Sequence, residues 1–249
     1  MKKNNFLKIF ICFLAIILLI AGLAGSSVLA KSNKDEKDVR VKVFVHYPRP
    51  DGGKPQKSAC LDTVNDQIEN YGLVGWKLPS STISFSVNYS SKPLNMSNEN
   101  VKSAITNAFQ TWETSDVNFQ EGAASSVARY QYDGVNLVAW GSVPNNAIAV
   151  TYTWYYPNTG QWVESDTILN KKLKWAWTEY LGDDCAGAPN AYDIQNIMTH
   201  ENGHWAGLDD LYSSASRDLT MYGYGMPSEL KKDTLGLGDT LGLGVLYGD

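Results

Sequence analysis

The sequence predicts an α+β fold, an α/β-type sandwich of helices on a β-sheet, and three observations support this. Several short segments alternate apolar and polar residues, which is the period of a half-buried strand. Two longer segments carry apolar residues at steps of three and four, which is the period of an amphipathic helix. The helical segments are interspersed with strand segments, so we expect their apolar faces to pack on a sheet.

The strand segments are short, and turn residues follow most of them. They span residues 41–45, 83–89, 117–120, 136–140, 148–154 and 161–169. The last two are joined by Pro157-Asn158-Thr159-Gly160, a four-residue loop that predicts a β-hairpin.

The first long helix is predicted to begin after Ser97. Ser97 is a typical N-cap residue, and Glu99 places a negative charge near the positive end of the helix dipole. One apolar face follows, formed by Val101, Ala104, Ile105, Ala108, Phe109 and Trp112. This face is the one we expect to pack on the sheet.

Residues 1–30 have the layout of a secretory signal peptide. Three lysines precede or enter an apolar run, and small residues ending at Ala30 supply the cleavage pattern. An uncleaved membrane anchor is the alternative, because the run approaches the length that spans a bilayer. We therefore expect a secreted, extracellular protein without stable membrane association once the signal is removed, or a membrane-anchored one if it is kept.

The charge balance argues against nucleic acid as a partner. Removing residues 1–30 takes Lys plus Arg from 21 to 18 against 26 acidic residues, so the formal net charge moves from −5 to −8. Such a chain has no cationic excess to neutralise phosphates. We expect a monomer that does not bind nucleic acid.

The cysteines and one acidic loop suggest further features. Cys60 and Cys185 remain after processing, and an even pair in an oxidising compartment favours a disulfide bond. Asp183 and Asp184 are available to calcium but lack the regular oxygen spacing of an EF-hand. We therefore interpret these two residues as part of a solvated acidic loop, and the sequence predicts no recognisable calcium site.

A second long helix, over residues 191–206, carries the motif H-E-x-x-H. At 100° per residue, His200, Glu201 and His204 share an arc of about 100° beside the apolar face. Two imidazoles one turn apart can reach one Zn²⁺, while Glu201 is offset towards the metal's water. Apolar residues at helical spacing support this helix: Ile194, Ile197, Met198 and Trp205.

Zinc needs a third protein ligand, and Asp210 is the first candidate. Gly207 can adopt the positive φ that ends a helix and turns the chain back, which returns position 210 towards the histidines. Asp209 competes by proximity, and Glu229 is the ligand that a thermolysin-like arrangement would use. His46, the remaining histidine, lies far upstream in a Pro-flanked segment.

The stretch His200-Glu201-Asn202-Gly203-His204-Trp205-Ala206-Gly207-Leu208-Asp209-Asp210 resembles the long zinc motif of the metzincin metalloproteases. Its Asp210 resembles the aspartate that snapalysin-type bacterial proteases have in place of a third histidine. Leu219-Thr220-Met221-Tyr222-Gly223 is similar to the Met-turn of that clan, and the order of elements over residues 80–249 is similar to matrixin catalytic domains. The cysteine-switch sequence of matrixins is absent.

This resemblance implies a fold and a domain organisation. The fold is a mostly parallel, twisted five-stranded sheet with two long helices and a small C-terminal subdomain, which carries the Met-turn and a terminal helix. The expected divisions are a signal peptide (1–30), an N-terminal extension or pro-segment (31–79) and a metzincin-like catalytic domain (80–249).

The expected function is that of a secreted zinc endopeptidase with His200, His204 and Asp210 as metal ligands. Glu201 would take a proton from the zinc-activated water and pass it to the leaving amine. The substrate would be a polypeptide bound in extended form, and by resemblance it would pair with the run 148–154 as the edge strand. The alternatives are a secreted zinc-binding or adhesion module without turnover, and a thermolysin-like peptidase that uses Glu229.

Overall fold

A computed structural model of the chain describes residues 38–50, 64–178 and 187–248. Its strands are β1 (Arg40–Pro48), β2 (Thr82–Val87), β3 (Asn118–Glu121), β4 (Leu137–Gly141), β5 (Ala149–Tyr156), β6 (Gln161–Asn170), β7 (Trp175–Ala176), β8 (Tyr192–Asp193) and β9 (Tyr224–Gly225). Its α-helices are α1 (Asn98–Gln110), α2 (Ile194–Ala206) and α3 (Leu237–Tyr247), and short 3₁₀ turns span Val64–Gln67, Tyr89–Ser91, Ser214–Ser216 and Lys231–Asp233.

The main sheet confirms the predicted fold class. Within the described residues its strand order is β3-β2-β4-β6-β5-β1-β9. The pairs β3-β2, β2-β4, β4-β6 and β1-β9 are parallel, whereas β5 pairs antiparallel with both β6 and β1. The sheet is therefore mixed and mostly parallel, as expected.

The five strands expected for the sheet are present as β2 to β6, and the described sheet has two further strands. The additions are β1, which comes from the segment assigned to the N-terminal extension, and the two-residue strand β9. The alternation in residues 41–45 does predict a strand, but an alternating pattern does not specify which strand it pairs with. That pairing depends on backbone hydrogen bonds with residues about a hundred positions away.

The prediction that residues 148–154 form an open edge is wrong for this structure. β1 pairs antiparallel with β5 from Arg40 opposite Tyr155 to His46 opposite Ala149. β1 then continues parallel to β9, with Tyr47 opposite Tyr224. The edge that a substrate was expected to use is therefore covered by the chain's own strand.

Both predicted long helices form, and their N-caps explain where they begin. The Ser97 side chain accepts from Asn100 N at 3.0 Å, and the Asp193 side chain accepts from Asn196 N at 3.1 Å. The helices pack against each other and the sheet through Ile105, Phe109 and Trp205, all fully or almost fully buried. α2 therefore packs against β5, the strand that pairs antiparallel with β1.

The terminal helix α3 closes the C-terminal subdomain, as expected. Its Leu243 packs with Met221 and Leu208, which follow α2. Tyr247 donates its hydroxyl to Ala206 O at 2.7 Å and accepts from Leu78 N at 2.9 Å. The subdomain is thus fastened to the end of the motif helix.

Several expectations concern residues outside the described ranges. These are the signal peptide (1–30), the pair Cys60 and Cys185, and the acidic loop with Asp183 and Asp184. In the ranges that the structure describes, no helix is both long and apolar enough to cross a membrane. The division at residue 79 stays a prediction.

Candidate metal centre

Helix α2 brings the two histidines of the motif onto one face. His200 and His204 lie one turn apart, with ring centroids separated by 4.9 Å, and both side chains are buried. The helix ends at Gly207, which adopts a φ of 109°. A Cβ at this position would lie 2.4 Å from Trp76 O, so both the backbone angle and the close approach require glycine.

The reversal at Gly207 returns Asp210 to the histidines, as the spacing predicts. Its Oδ1 lies 3.3 Å from His200 Nε2 and 3.6 Å from His204 Nε2. Ligands at about 2.0 to 2.1 Å from a tetrahedral zinc ion are about 3.3 Å apart. His200 Nε2 and Asp210 Oδ1 are buried atoms without a hydrogen-bond partner, so this donor set fits Zn²⁺.

The other ring nitrogens are fixed by backbone carbonyls. His200 Nδ1 lies 2.8 Å from Thr220 O, and His204 Nδ1 lies 3.0 Å from Leu208 O. A carbonyl oxygen only accepts, so each Nδ1 must carry the proton and each Nε2 presents its lone pair. In this tautomer Nε2 is unprotonated and can bind a metal ion.

Burial and mutual attraction set the protonation states that a metal requires. Burial lowers the pKa of His200 to about 4 and also lowers that of His204. Burial alone would raise the pKa of Asp210, but the two histidines and a hydroxyl group hold it well below its ordinary value. At neutral pH the three side chains are two neutral imidazoles and one carboxylate.

Glu201 lies beside this trio and has different partners. Its Oε2 accepts from the Thr151 hydroxyl at 2.6 Å, and its Oε1 lies 3.1 Å from His46 Nδ1. Burial raises the pKa of Glu201 to about 8. His46, His200 and Glu201 also come close enough together to form a second candidate metal cluster.

Met221 lies directly under the motif helix, as the Met-turn resemblance implies. A Cβ on Gly203 would overlap the Met221 sulfur, so the methionine and the helix backbone are in close contact. Asp239, in the first turn of α3, accepts from Thr220 N at 2.8 Å and from Met221 N at 3.1 Å. This carboxylate holds the turn whose carbonyl orients His200.

The rival ligands predicted from the sequence are occupied elsewhere. Asp209 Oδ2 pairs with Lys42 Nζ at 2.9 Å. Glu229 accepts from Arg49 at 3.0 Å and from Met226 N at 3.2 Å. Neither carboxylate belongs to a metal-binding cluster within the described part of the chain.

Sequence reasoning did not assign a role to four residues around the site. They are His46, Thr151, Tyr212 and Lys232, of which Tyr212 donates its hydroxyl to Asp210 Oδ2 at 3.1 Å. The scarcity of histidine was the one available signal for His46. The others are ordinary residues of a strand, a loop and a turn, and only the fold brings them to the motif.

The fold and this centre define a class of protein, the metallopeptidases with an H-E-x-x-H helix, a Gly turn, a third ligand and a methionine underneath. The family model Matrixin matches residues 76–248. The chain therefore belongs to the matrixin family, whose members are zinc peptidases. No curated protein matches the chain.

Proposed function

We propose that the chain is a secreted zinc endopeptidase in which His200, His204 and Asp210 bind Zn²⁺ and Glu201 transfers protons. The observation that carries this proposal is the convergence of the three side chains, with His200 Nε2 and Asp210 Oδ1 buried, unpartnered and 3.3 Å apart. Membership of the matrixin family supports the same chemistry. The signal-peptide pattern in residues 1–30 supports secretion.

Glu201 is suited to act first as base and then as acid. Zn²⁺ held by the trio would polarise the scissile carbonyl and acidify a water molecule. Burial raises the pKa of Glu201 to about 8, so its carboxyl group can gain and release a proton near neutral pH. Thr151 holds Oε2, so Oε1, once His46 has left it, would receive the proton from water and deliver it to the leaving amine.

The substrate is proposed to be a polypeptide that takes the place of β1. Along β1 the buried side chains face the motif: the Phe44 ring stacks on His204 with centroids 3.8 Å apart, and the His46 ring lies 3.9 Å from that of His200. An extended peptide would form the same ladder with β5 by β-augmentation. β1 must therefore leave before substrate reaches Glu201.

A second candidate function is zinc binding without turnover. The observation that favours it is that His46 already occupies Glu201 Oε1 at 3.1 Å, in a position where the carboxylate cannot serve a water molecule. The two functions differ in whether β1 can be displaced.

The test is chelator-sensitive cleavage of a denatured protein by the full chain produced in a secreting host, with the N-terminus of the recovered protein sequenced. We expect cleavage that is lost with a chelator and regained with Zn²⁺. Glu201→Gln should keep one zinc per chain and lose about 10²- to 10⁴-fold in kcat, the usual contribution of a positioned acid or base. Zinc binding without any cleavage by the wild type would reject the peptidase in favour of the binding module.

A further inference from the structure

Lys232 is a buried lysine whose ammonium group points at the strand over the metal centre. Its side chain is 1 % exposed, and its backbone N donates to Asn196 Oδ1 on α2 at 2.7 Å. Its Nζ donates to Tyr222 O at 2.6 Å and to Tyr224 O at 3.0 Å. An ammonium group has three donors, and the third is directed at His46 Nε2, 3.1 Å away.

No carboxylate of the described residues forms an ion pair with Lys232. Glu229 is the strongest of the charged groups that attract it, but its oxygens are held by Arg49 and by Met226 N. Burial lowers the pKa of Lys232 to about 8, so the group still carries its charge at neutral pH. A buried cation that lacks a carboxylate partner is costly, so a carboxylate that reached Lys232 would be bound favourably.

His46 shows where a side chain of a bound peptide would lie. In β1 it is opposite Ala149 of β5, and its side chain is fully buried. Since Nδ1 is bonded to the carbon nearest the backbone, Glu201 meets the base of this side chain and Lys232 meets its tip. A peptide that replaced β1 in the same register would present its own side chain to Lys232.

We propose that Lys232 determines specificity and that the enzyme prefers peptides with a carboxylate side chain, glutamate above all, at the position that His46 occupies. This inference rests on the proposed function, because it treats β1 as occupying the substrate's place. Glutamate has about the reach of the imidazole, and its carboxylate accepts the third Lys232 donor and pairs with its charge. An apolar side chain would leave that donor unpartnered, and a lysine side chain would place two cations together.

The test uses the zinc-loaded full chain and a set of peptides that differ only at one position, as Glu, Gln, Leu or Lys. Cleaved bonds are mapped by mass spectrometry, and kcat/KM is measured for each peptide. We expect the Glu peptide to exceed the Gln peptide by at least about tenfold, with the Lys peptide lowest. Equal rates for Glu and Gln would overturn the proposal without any variant being made.

Variants then assign the preference to Lys232. Lys232→Met should abolish the Glu-over-Gln preference, and Lys232→Arg should retain part of it. Lys102→Met is the matched control, since Lys102 lies on α1 with a side chain 62 % exposed and should leave the preference unchanged. A preference that survives in folded Lys232→Met, as judged by thermal unfolding, would refute the proposal.

A binding measurement separates this inference from the proposed function. Dye-labelled versions of the same peptides are titrated on zinc-loaded Glu201→Gln by fluorescence anisotropy, which needs no turnover. Tighter binding of the Glu peptide that depends on Lys232, in a chain whose wild type cleaves nothing, would support the specificity site and reject the peptidase. If the wild type cleaved peptides but neither assay showed a preference for the Glu peptide, the peptidase would be supported and the specificity site rejected.

Discussion

Two groups of three side chains share His200, and they differ in whether their polar atoms are already satisfied. In the first group, His200 Nε2 and Asp210 Oδ1 are buried and have no hydrogen-bond partner. Their neighbours, the Nδ1 atoms of His200 and His204, are fixed by carbonyls. His200 Nε2 and Asp210 Oδ1 therefore present lone pairs 3.3 Å apart, and neither atom accepts a hydrogen bond from the protein.

The second group, His46 with His200 and Glu201, also brings three potential ligands together, but its His46 and Glu201 are joined by a hydrogen bond of 3.1 Å. Lys232 donates a hydrogen bond to His46 Nε2, and His46 Nδ1 in turn donates to Glu201 Oε1. Thr151 occupies the other Glu201 oxygen. The first group is therefore the better candidate for a metal ion, because two of its three ligands present buried lone pairs that no protein donor meets.

Asp210→Ala should produce the largest effect, because it removes a member of the unsatisfied group. We expect zinc affinity to fall by more than about 100-fold, beyond the range for partners of ligands, with loss of proteolysis. Competition with a fluorescent zinc chelator measures this. Glu229→Ala is the control and should keep its zinc. If Glu229→Ala lost zinc and Asp210→Ala kept it, Glu229 would be the third ligand and the contrast between the two groups would disappear.

His46→Ala tests the hydrogen-bonded group and should have an intermediate effect in the opposite direction. It frees Glu201 Oε1 and weakens β1, so kcat/KM should rise by about tenfold for each 1.4 kcal/mol of strand binding lost. The buried Lys232 donor loses its acceptor, so unfolding should become easier by about 1 to 3 kcal/mol.

Val43→Ala is the matched control for this prediction, since Val43 lies on the same strand and is 46 % exposed. Zinc content should be unchanged in both variants. If His46→Ala lost its zinc, the second group would be a metal site in its own right.

Tyr212→Phe should produce the smallest effect. It deletes the hydroxyl that donates to Asp210 Oδ2 at 3.1 Å, but Tyr212 is 55 % exposed and water can replace the donor. We expect at most about a tenfold loss of zinc affinity, the low end for such partners. Tyr130, which is 49 % exposed and stacks on Tyr152, provides the control: Tyr130→Phe makes the same chemical change and should leave zinc affinity unaltered.

The features that could be predicted from the sequence are those that depend on residues close together in the chain. The positions of His200, Glu201 and His204 on one helix face follow from helical periodicity, and the Ser97 cap and the turn at Gly207 follow from local backbone chemistry. The distance between Asp210 and the histidines could be anticipated because only one turn separates them. These features depend on residues no more than ten positions apart.

The partners of Glu201 could not be anticipated in this way. His46 lies 155 residues from Glu201, and Lys232 lies 186 residues from His46. Strand patterns fix which face of β1 is buried but not which strand it joins, so the chain was expected to leave β5 as an open edge. The covered edge and the lysine beneath it are properties of the assembled sheet.

The sequence by itself therefore determined the metal-binding motif, both long helices and the family-like order of elements, because local periodicity and capping encode them. The tertiary structure alone decided what lies over Glu201, which side chains hold its two oxygens and which buried cation contacts His46. Those contacts come from residues that have no pattern in common and meet only when the sheet is complete.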